Sequence, residues 1–339
     1  METVMNIVIP MFKADHIQIK LFMLAKEEQT HKEWLKEVDY DYSLCTHKSK
    51  KARAVVYTTA LAWFLYKEKP DMVICTNSLT CSISYLARKL TFGTYPIISW
   101  SHGSLTDMDK KENLLKADFH LAIATGIKHQ LQQLNINEKN IYVIFNPCPI
   151  AKKTIPRPDE KKKFAYLGRI LFGDEKRIKD IFDAFSTIEE DFELHIVGDG
   201  KDINIAKEYA KNLKINSKII WHGWHNNPWE LFIDLTAIIL ASTHEGFGMV
   251  LAEAASYGVY SISSDCPVGP ADIIINNVNG VLFKPRDVIE LNNIVINIIN
   301  DTPLPDQSLI KSSIEKFHPE NYYHRFKSIL IEINEKWKS

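Results

Sequence analysis

The chain has 339 residues, of which 45% are hydrophobic and 24% are charged, and its formal net charge is -1. This length accommodates two domains of ordinary size, and the composition is that of a globular protein rather than an extended disordered chain. The near-neutral charge excludes whole-protein attraction to nucleic acid, so no nucleic-acid partner is expected.

The cysteines and the apolar runs indicate in which cellular compartment the protein is expected. Five cysteines occur without a Cys-x-x-Cys pair, which predicts reduced, mostly buried thiols in a cytoplasmic protein. Residues 1–12 lack the basic start and cleavage site of a secretory signal, and the run 54–66 is too short to span a bilayer. A soluble or at most peripheral protein is expected. The basic run 47–53 is either a solvated loop or a contact with an anionic membrane surface.

The first half of the chain alternates predicted helices and strands. It opens with a helix that has an apolar face, followed by no glycine turn and preceded by no strand. A parallel α/β domain normally starts with both, so either the true start lies upstream or the first strand is missing. The helix face comprises Val4, Ile7, Val8 and Met11; strands are predicted at 17–24, 71–75, 96–100, 119–123 and 141–144, and helices at 32–36, 54–67, from the turn 76–78 to Leu90, and at 125–134.

The second half repeats this alternation after a proline-rich, lysine-rich segment at 146–163, which is predicted to link two domains. The predicted strands are 164–167, 193–197, 218–221, 237–241 and 259–263, and the helices are 177–187, 201–213, 228–234, 249–257, 270–275, 288–300 and 319–338. The pattern predicts an α/β protein with doubly wound, mostly parallel sheets. The expected domains are 1–150, 151–317, and a last helical segment, 318–339.

One strand-to-helix turn, at 244–253, has the sequence His-Glu-Gly-Phe-Gly-Met-Val-Leu-Ala-Glu. Gly246 and Gly248 let the backbone turn tightly and approach a ligand. The free N–H groups at the start of the helix, around Phe247, Met249 and Val250, favour an anion such as phosphate.

Two carboxylates frame the same turn. Glu245 lies on the loop and Glu253 lies inside the helix, and each carboxylate can accept hydrogen bonds from the vicinal hydroxyls of a sugar. The alternative is an ordinary turn with one capping and one solvated glutamate.

The spacing Glu, seven residues, Glu, headed by Glu-Gly-Phe-Gly, resembles the donor-site signature of retaining GT-B glycosyltransferases of family 4. Within that family the chain is most similar to lipopolysaccharide core 1,6-galactosyltransferases. This resemblance covers nearly the whole chain and is carried by residues 1–4, 99–102, 126–128, 145–147 and 263–266. It implies two Rossmann-like domains facing a cleft, with a UDP-sugar on the C-terminal domain and an acceptor glycan on the N-terminal one. The N-terminal glycine loop of the family has no counterpart here.

Two cations follow the first strand of the second half. Arg169 and Lys176 lie near a helix start and suit a diphosphate, although surface salt bridges explain them equally well. The resemblance assigns both to the donor diphosphate, with Arg177 as a near alternative to Lys176.

Three further turns are candidates. Gly198 lies in a glycine turn after a strand, which is weak by itself because the full dinucleotide fingerprint is absent. By the resemblance, Trp224 and His225 lie beside the nucleotide base and are candidates to contact uracil, while a core tryptophan followed by an ordinary loop is the alternative. Asp272 stands where the family's Gly-Pro-x-Glu turn usually has glutamate.

His102 is the candidate of the first half, since the loop at 100–105 resembles the family loop whose histidine faces the donor sugar. An ordinary polar loop residue is the alternative. Histidine titrates near neutrality, so a pH-dependent contact with a sugar hydroxyl or phosphate is expected. The resemblance also implies that Glu245 orients the donor hexose and that Glu253 binds the ribose hydroxyls.

No metal or other cofactor is expected. The segments 39–41 and 107–109 have the pattern Asp-x-Asp, but neither directly follows a strand, so both are predicted to be solvated loops. Arg169, Lys176 and a helix terminus would neutralise the diphosphate instead.

The resemblance implies an enzyme that moves a hexose, with galactose the first choice, from UDP to a lipopolysaccharide core or another surface glycan. Retention of configuration by front-face displacement is favoured, because no carboxylate stands out as a covalent nucleophile. The expected location is the cytoplasm, with peripheral contact at the inner membrane left open. Two rivals remain: an epimerase or hydrolase that consumes UDP-sugar without an acceptor, and a nucleotide-sugar-binding protein without turnover.

Overall fold

A computed structural model describes residues 2–25, 40–106, 108–173 and 175–339. The chain divides into two compact units. Unit 1 comprises Met1–Pro147 and Pro319–Ser339, and unit 2 comprises Cys148–His318. Both units are built from parallel strands joined by helices. The helix predicted at 32–36 lies outside the described residues.

Unit 1 begins with a helix and contains a small and a larger sheet. Strands β1 and β2 form a separate parallel pair, and the larger parallel sheet has the order β3-β4-β5-β6. The strands are β1 (Leu21–Ala25), β2 (Tyr40–Leu44), β3 (Val73–Cys75), β4 (Ile97–Ser101), β5 (Phe119–Ala122) and β6 (Ile141–Val143). The helices are α1 (Glu2–Ala14), α2 (Lys50–Glu68), α3 (Ser78–Thr91) and α4 (Thr125–Gln133).

Helix α1 forms where the sequence predicts a helix, but its buried face is rotated. Val4 and Val8 are buried as expected, whereas Ile9 and Phe12 are buried in place of the predicted Ile7 and Met11. The reason is tertiary, because the Phe12 ring packs edge-on against two rings of the last helix of the chain.

Strand β2 corrects one prediction about the first Asp-x-Asp segment. Tyr40 and Asp41 do not lie in a solvated loop, since Tyr40 pairs with Leu21 and Asp41 with Phe22 in the parallel register of β1 and β2. Asp39 lies outside the described residues. The strand was missed because it is polar and largely exposed, so it has no apolar run to mark it.

Unit 2 contains one six-stranded parallel sheet with the order β9-β8-β7-β10-β11-β12. The strands are β7 (Lys162–Leu167), β8 (Phe192–Val197), β9 (Ile219–Gly223), β10 (Ala237–Leu240), β11 (Tyr260–Ser264) and β12 (Gly280–Phe283). The helices are α5 (Ile178–Phe185), α6 (Ile203–Asn212), α7 (Met249–Ser256), α8 (Pro270–Ile273), α9 (Val288–Ile299) and α10 (Gln307–Ser312). The order reverses between β7 and β10, which is where doubly wound sheets bind ligands, outside the carboxyl ends of the strands.

Some elements of unit 2 depart from the prediction. Strand β12 and helix α10 were not predicted, and Pro228–Leu231 forms a 3-10 helix where an α-helix at 228–234 was expected. The segment predicted to be a linker is bonded to unit 2. Ile155 donates its N–H to the Tyr257 carbonyl at 3.0 Å, and Ala151 donates to the Ser256 hydroxyl at 2.7 Å. The segment is held against unit 2 because the apolar side chain of Ile155 is almost fully buried there.

The last helix, α11 (Pro319–Lys338), belongs to unit 1. Its side chains Tyr322, Tyr323, Phe326 and Ile333 are buried. The Phe326 ring lies 5.2 Å from the ring of Trp100, and Arg325 donates to the Ile144 carbonyl at 2.9 Å. These contacts join α11 to the ends of strands β4 and β6.

Candidate active site

The predicted donor residues lie on the loops that follow β7, β8, β9 and β10, at the carboxyl edge of the unit 2 sheet, and in helix α7, which follows the last of these loops. The loops are held together through their main chains. The N–H of Ile170 donates to the Asp199 carbonyl at 2.9 Å, and that of Thr243 donates to the Glu175 carbonyl at 2.8 Å. The loop after β7 is therefore tied to the loop after β8 on one side and to the loop after β10 on the other.

A buried ion pair spans the point where the strand order reverses. Lys176 Nζ, from the loop after β7, lies 2.5 Å from Glu245 Oε1, from the loop after β10, and the two side chains are only 15% and 10% exposed. Burial of two charges is costly unless they are paired with good geometry. This pair is a fixed, oriented set of charges in a place where a ligand is expected.

Arg177, the near alternative to Lys176, has a different role. Its guanidinium forms a two-pronged pair with Asp180, at 2.6 and 2.8 Å, and also donates to the Gly173 carbonyl. Asp180 is almost fully buried. Arg177 therefore fixes the start of α5, and Lys176 is the cation that points to the other loop.

Arg169 is positioned by its main chain, and its guanidinium has only an exposed partner, Glu175. Its carbonyl accepts a hydrogen bond from the Tyr166 hydroxyl at 2.6 Å, so its backbone is anchored to the core of unit 2. Its side chain is 71% exposed and contacts Glu175 at 3.3 Å. Exposed pairs of this kind contribute little, so the guanidinium can turn towards an anionic ligand at small cost.

Two glycines allow the loops to touch backbone to backbone. At Gly198, with φ of 135°, a Cβ would lie 2.0 Å from the Gly168 carbonyl oxygen. At Gly269, with φ of 101°, a Cβ would lie 2.2 Å from the Phe247 carbonyl oxygen. Gly198 therefore acts on the site by setting the distance between the loops after β7 and β8.

The Glu-Gly-Phe-Gly turn has an apolar anchor. The Phe247 side chain is buried and its ring lies 5.3 Å from that of Phe317. The expectation that Phe247 contacts the donor thus applies to its main chain only. Gly246, Met249 and Val250 are half-buried. Gly248, with φ of 89°, begins α7 without a side-chain cap, which leaves N–H groups of the first turn for a ligand.

Glu253 is not a solvated glutamate. It is half-buried on α7, and its Oε2 accepts a hydrogen bond from Trp229 Nε1 at 3.0 Å. The Trp229 ring stacks on Tyr257 at 4.9 Å, which fixes the donor. Burial raises the pKa of the Glu253 carboxyl although the bond from Trp229 opposes that shift.

The turn after β9 carries two exposed rings. Trp224 and His225 are both exposed, as a surface for a base requires. A histidine pair that the sequence did not single out supports the turn. His195 Nδ1 and His222 Nε2 lie 2.9 Å apart, and their rings stack. The two histidines lie on the neighbouring strands β8 and β9. The sequence alone does not give the register that brings them together.

His102 follows β4 in unit 1. Its ring lies 4.5 Å from that of Trp100, and its Nε2 is buried without a hydrogen-bond partner. Burial lowers the pKa of His102 to about 3. The expected titration near neutrality is therefore wrong, because desolvation keeps the ring neutral. Ser101 Oγ and Trp100 Nε1 are also buried without partners, which is uncommon in folded proteins.

Within the described ranges, no group of three or more His, Cys, Asp or Glu side chains is arranged to hold a metal ion. Asp41 and Asp109 are exposed, and Asp107 lies outside the described residues. Asp272 lies in the first turn of α8, and its carbonyl accepts a bond from Lys316 at 2.9 Å. The five cysteines are free and buried, as predicted.

The backbone contact at Gly198 gives a first prediction. Gly198→Ala should destabilise unit 2 by about 2 kcal/mol or more, because the new Cβ clashes with the Gly168 carbonyl and the positive φ is strained. Urea unfolding followed by circular dichroism measures this. Gly173→Ala is the matched control, since its Cβ would meet nothing within 4 Å. Equal stability of the two variants would contradict the loop packing.

The neutral His102 gives a second prediction. In the unfolded chain His102 binds a proton near pH 6.5, whereas in the folded chain it binds one only near pH 3. The free energy of unfolding is therefore unaffected by this histidine above pH 6.5 and falls as the pH drops from 6.5 towards 3. Below pH 6 this histidine should contribute a slope approaching about 1.4 kcal/mol per pH unit. In urea unfolding at pH 4.5–7, the free energy of unfolding of His102→Gln should fall less steeply with decreasing pH, by that amount. The exposed control His129→Gln should show the same pH dependence as the wild type. Parallel curves for all three proteins would contradict the burial of a neutral ring.

Comparison with known proteins identifies relatives over the whole chain. The profile of the family "Glycosyl transferases group 1" matches residues 149–314. A lipopolysaccharide 1,6-galactosyltransferase of Escherichia coli K12 is 36% identical over 337 residues, covering 98% of this chain and 94% of that protein. Its namesake from Salmonella typhimurium LT2 is 34% identical over 339 residues, with the same two coverages.

Solved structures agree. The apo form of the lipopolysaccharide outer core galactosyltransferase WaaB superimposes with a TM-score of 0.94 at 34% identity, covering 98% of this chain and 95% of that one. The Anabaena protein HepE in complex with UDP-glucose has a TM-score of 0.78 at 14% identity, covering 98% and 95%, which shows a shared fold. The predicted GT-B fold and glycosyltransferase family are confirmed. The chain belongs to the group 1 glycosyl transferases.

Proposed function

We propose that this glycosyltransferase moves galactose from UDP-galactose to a lipopolysaccharide core or a similar surface glycan, with retention of the α configuration. The observation that carries the proposal is the buried Lys176–Glu245 pair at the reversal of strand order in unit 2. The names of the two relatives that match along the whole chain support galactose and lipopolysaccharide as the substrates.

The donor diphosphate is assigned to Lys176 and Arg169. Lys176 supplies a buried ammonium and Arg169 an exposed guanidinium that can turn inwards. The uncapped start of α7 adds N–H groups with a favourable dipole. Together these groups neutralise the leaving diphosphate without a metal ion. Glu245, held by Lys176, keeps one carboxylate oxygen for the hydroxyls of the hexose.

The nucleoside is assigned to the other end of the same edge. Glu253 accepts hydrogen bonds from the ribose hydroxyls and is oriented by Trp229. The exposed rings of Trp224 and His225 offer a stacking surface to uracil. Gly198 contributes indirectly, by holding the loops after β7 and β8 in contact.

Transfer is proposed to proceed on one face of the sugar. The bond from C1 to the diphosphate oxygen breaks as the bond from C1 to the acceptor oxygen forms. The acceptor hydroxyl proton passes to the departing diphosphate oxygen, and UDP leaves. His102 of unit 1, which burial keeps neutral, can donate or accept a hydrogen bond but cannot supply a positive charge at physiological pH.

The site of action is proposed to be the cytoplasmic face of the inner membrane, where the protein is peripheral. No helix in the described part of the chain is long and apolar enough to cross a membrane. The acceptor named for the relatives, lipopolysaccharide, is itself a membrane lipid.

UDP release tests the reaction. Purified protein receives UDP-galactose or UDP-glucose, each with and without a truncated lipopolysaccharide core. Release from UDP-galactose that depends on the acceptor is expected. Equal release without acceptor would replace the transferase by an epimerase or hydrolase, and binding without any release would favour a nucleotide-sugar-binding protein.

Two substitutions test the residues in the same assay. Arg169→Ala should lower kcat/KM about 10- to 100-fold, because a charge-assisted hydrogen bond contributes about 1.5–3 kcal/mol. Glu245→Gln should lower it about 100-fold or more, because it also breaks the buried pair. Arg286→Ala, at an exposed arginine of unit 2, is the control and should leave turnover unchanged. Wild-type turnover in the first two variants would remove these residues from the site.

A further inference from the structure

Helix α2 of unit 1 has an exposed face that is apolar instead of polar. The α2 docking face consists of Val55, Val56, Trp63 and Tyr66, all of which are exposed, with Trp63 at 70%. At 100° per residue these four positions fall within an arc of about 100° on the helix. The opposite side of α2 buries Tyr57, Leu61 and Leu65 among others, so the helix is packed on one side and unpartnered on the other.

Aromatic rings dominate this face. The rings of Trp63 and Tyr66 stack, with centroids 6.2 Å apart and an interplanar angle of 28°. Contiguous exposed apolar patches, unlike single exposed side chains, often mark interaction sites. Tryptophan and tyrosine are the side chains enriched at the level of lipid headgroups, because each has an apolar ring with a polar group.

The charges around the face have one sign. At 100° per residue, Lys51 in the first turn and Lys67 in the last turn flank the face, whereas Lys50 begins the helix on its opposite, packed side. The Lys67 side chain is 72% exposed, with its Nζ 3.7 Å from Glu68. The acidic residue of α2, Glu68, is paired with Lys20. Cations at a helix N-terminus oppose the helix dipole, and the first turn of α2 has no acidic residue to offset them. Helix stability therefore does not explain these lysines, which give this part of the helix an excess of positive charge.

The neighbouring helix has the same character. Helix α3 packs against α2 and exposes Leu79, Leu86 and Leu90, and its C-terminal cap, Phe92, is 90% exposed. The sequence of α3 contains no acidic residue. Unit 1 thus presents exposed apolar side chains on two packed helices, with basic groups and few acids.

We infer that the α2 docking face binds the surface of an anionic lipid bilayer. The aromatic pair lies at the headgroup level and Lys51 and Lys67 lie against lipid phosphates. Charge complementarity selects this occupant over a protein of mixed charge or a second copy of the chain, whose own α2 lysines would repel these. The inference rests on the proposed membrane location and specifies the surface responsible for it.

Vesicle flotation of the full chain, without donor or acceptor, tests it. Vesicles of phosphatidylglycerol and phosphatidylethanolamine should carry the wild type, and vesicles of phosphatidylcholine should not. Trp63→Ser should weaken binding about tenfold or more, because an aromatic anchor is lost. Ile289→Ser is the matched control, since Ile289 is 75% exposed on α9 of unit 2 and should bind as the wild type does.

The charge is tested in the same way. Lys51→Gln combined with Lys67→Gln should weaken binding about tenfold or more, and high salt should release the wild type. Lys152→Gln combined with Lys153→Gln, an exposed adjacent pair in unit 2, is the control and should have no effect. Far-UV circular dichroism with thermal melting verifies that each variant is folded.

Three outcomes would overturn the inference: a wild type that ignores anionic vesicles, Trp63→Ser binding as tightly as Ile289→Ser, or a wild-type dimer that Trp63→Ser disperses without vesicle binding. Each is separate from the proposed reaction. If the protein releases UDP in an acceptor-dependent way with a truncated core but does not bind vesicles, the docking surface is contradicted and the proposed reaction is not. If the protein binds vesicles but never releases UDP, the proposed reaction is contradicted and the docking surface is not.

Discussion

The ion pair between Lys176 and Glu245 is the interaction on which the candidate site of unit 2 depends. Its two members come from loops 69 residues apart in sequence, and both side chains are nearly buried. Two desolvated charges are stable together only if the loops that carry them are held firmly. The hydrogen bond from Thr243 to Glu175 provides that restraint next to the pair. The result is a preorganised cation at the place where the sheet topology leaves a crevice.

The second constraint is steric. Gly198 against Gly168, and Gly269 against Phe247, bring four loops into main-chain contact that any side chain would prevent. Main-chain contacts leave few rotamers to order when a ligand arrives, so less entropy is lost on binding. The exposed guanidinium of Arg169 is then the group that can rearrange most easily, because its ion pair with Glu175 is an exposed, weak one.

Much of the fold was predictable, because buried strands and amphipathic helices leave local patterns. The run 237–241 predicted β10, and α11 was predicted with its observed bounds, Pro319–Lys338. Strand β2 was missed because it lies exposed on a two-stranded sheet and has no apolar pattern. Strand β12 is four residues long and only partly buried, so periodicity had too few positions to reveal it.

The sequence names candidate residues for the site, which stay a prediction, but it does not give their electrostatics. Motif and resemblance located Lys176, Glu245 and Glu253, but neither the pairing of Lys176 with Glu245 nor the bond from Trp229 to Glu253 is encoded in local sequence. The pKa of His102 was predicted with the wrong value, because desolvation depends on the neighbours that the fold supplies, such as Trp100. Only the position of Asp180, which pairs with Arg177, shows that Lys176 and not Arg177 is the candidate for the diphosphate.

Calorimetric titration with UDP and with uridine tests the central claim that Lys176 is held for the diphosphate. Lys176→Met alone leaves Glu245 buried without its partner, so the double variant with Glu245→Gln is measured beside it, and Lys211→Met on α6 is the control. Lys176→Met and the double variant should both bind UDP about 30- to 100-fold more weakly than the wild type, since one charge-assisted contact is lost. Their affinity for uridine, which has no phosphate, should not change. A double variant that binds UDP as tightly as the wild type would contradict the account.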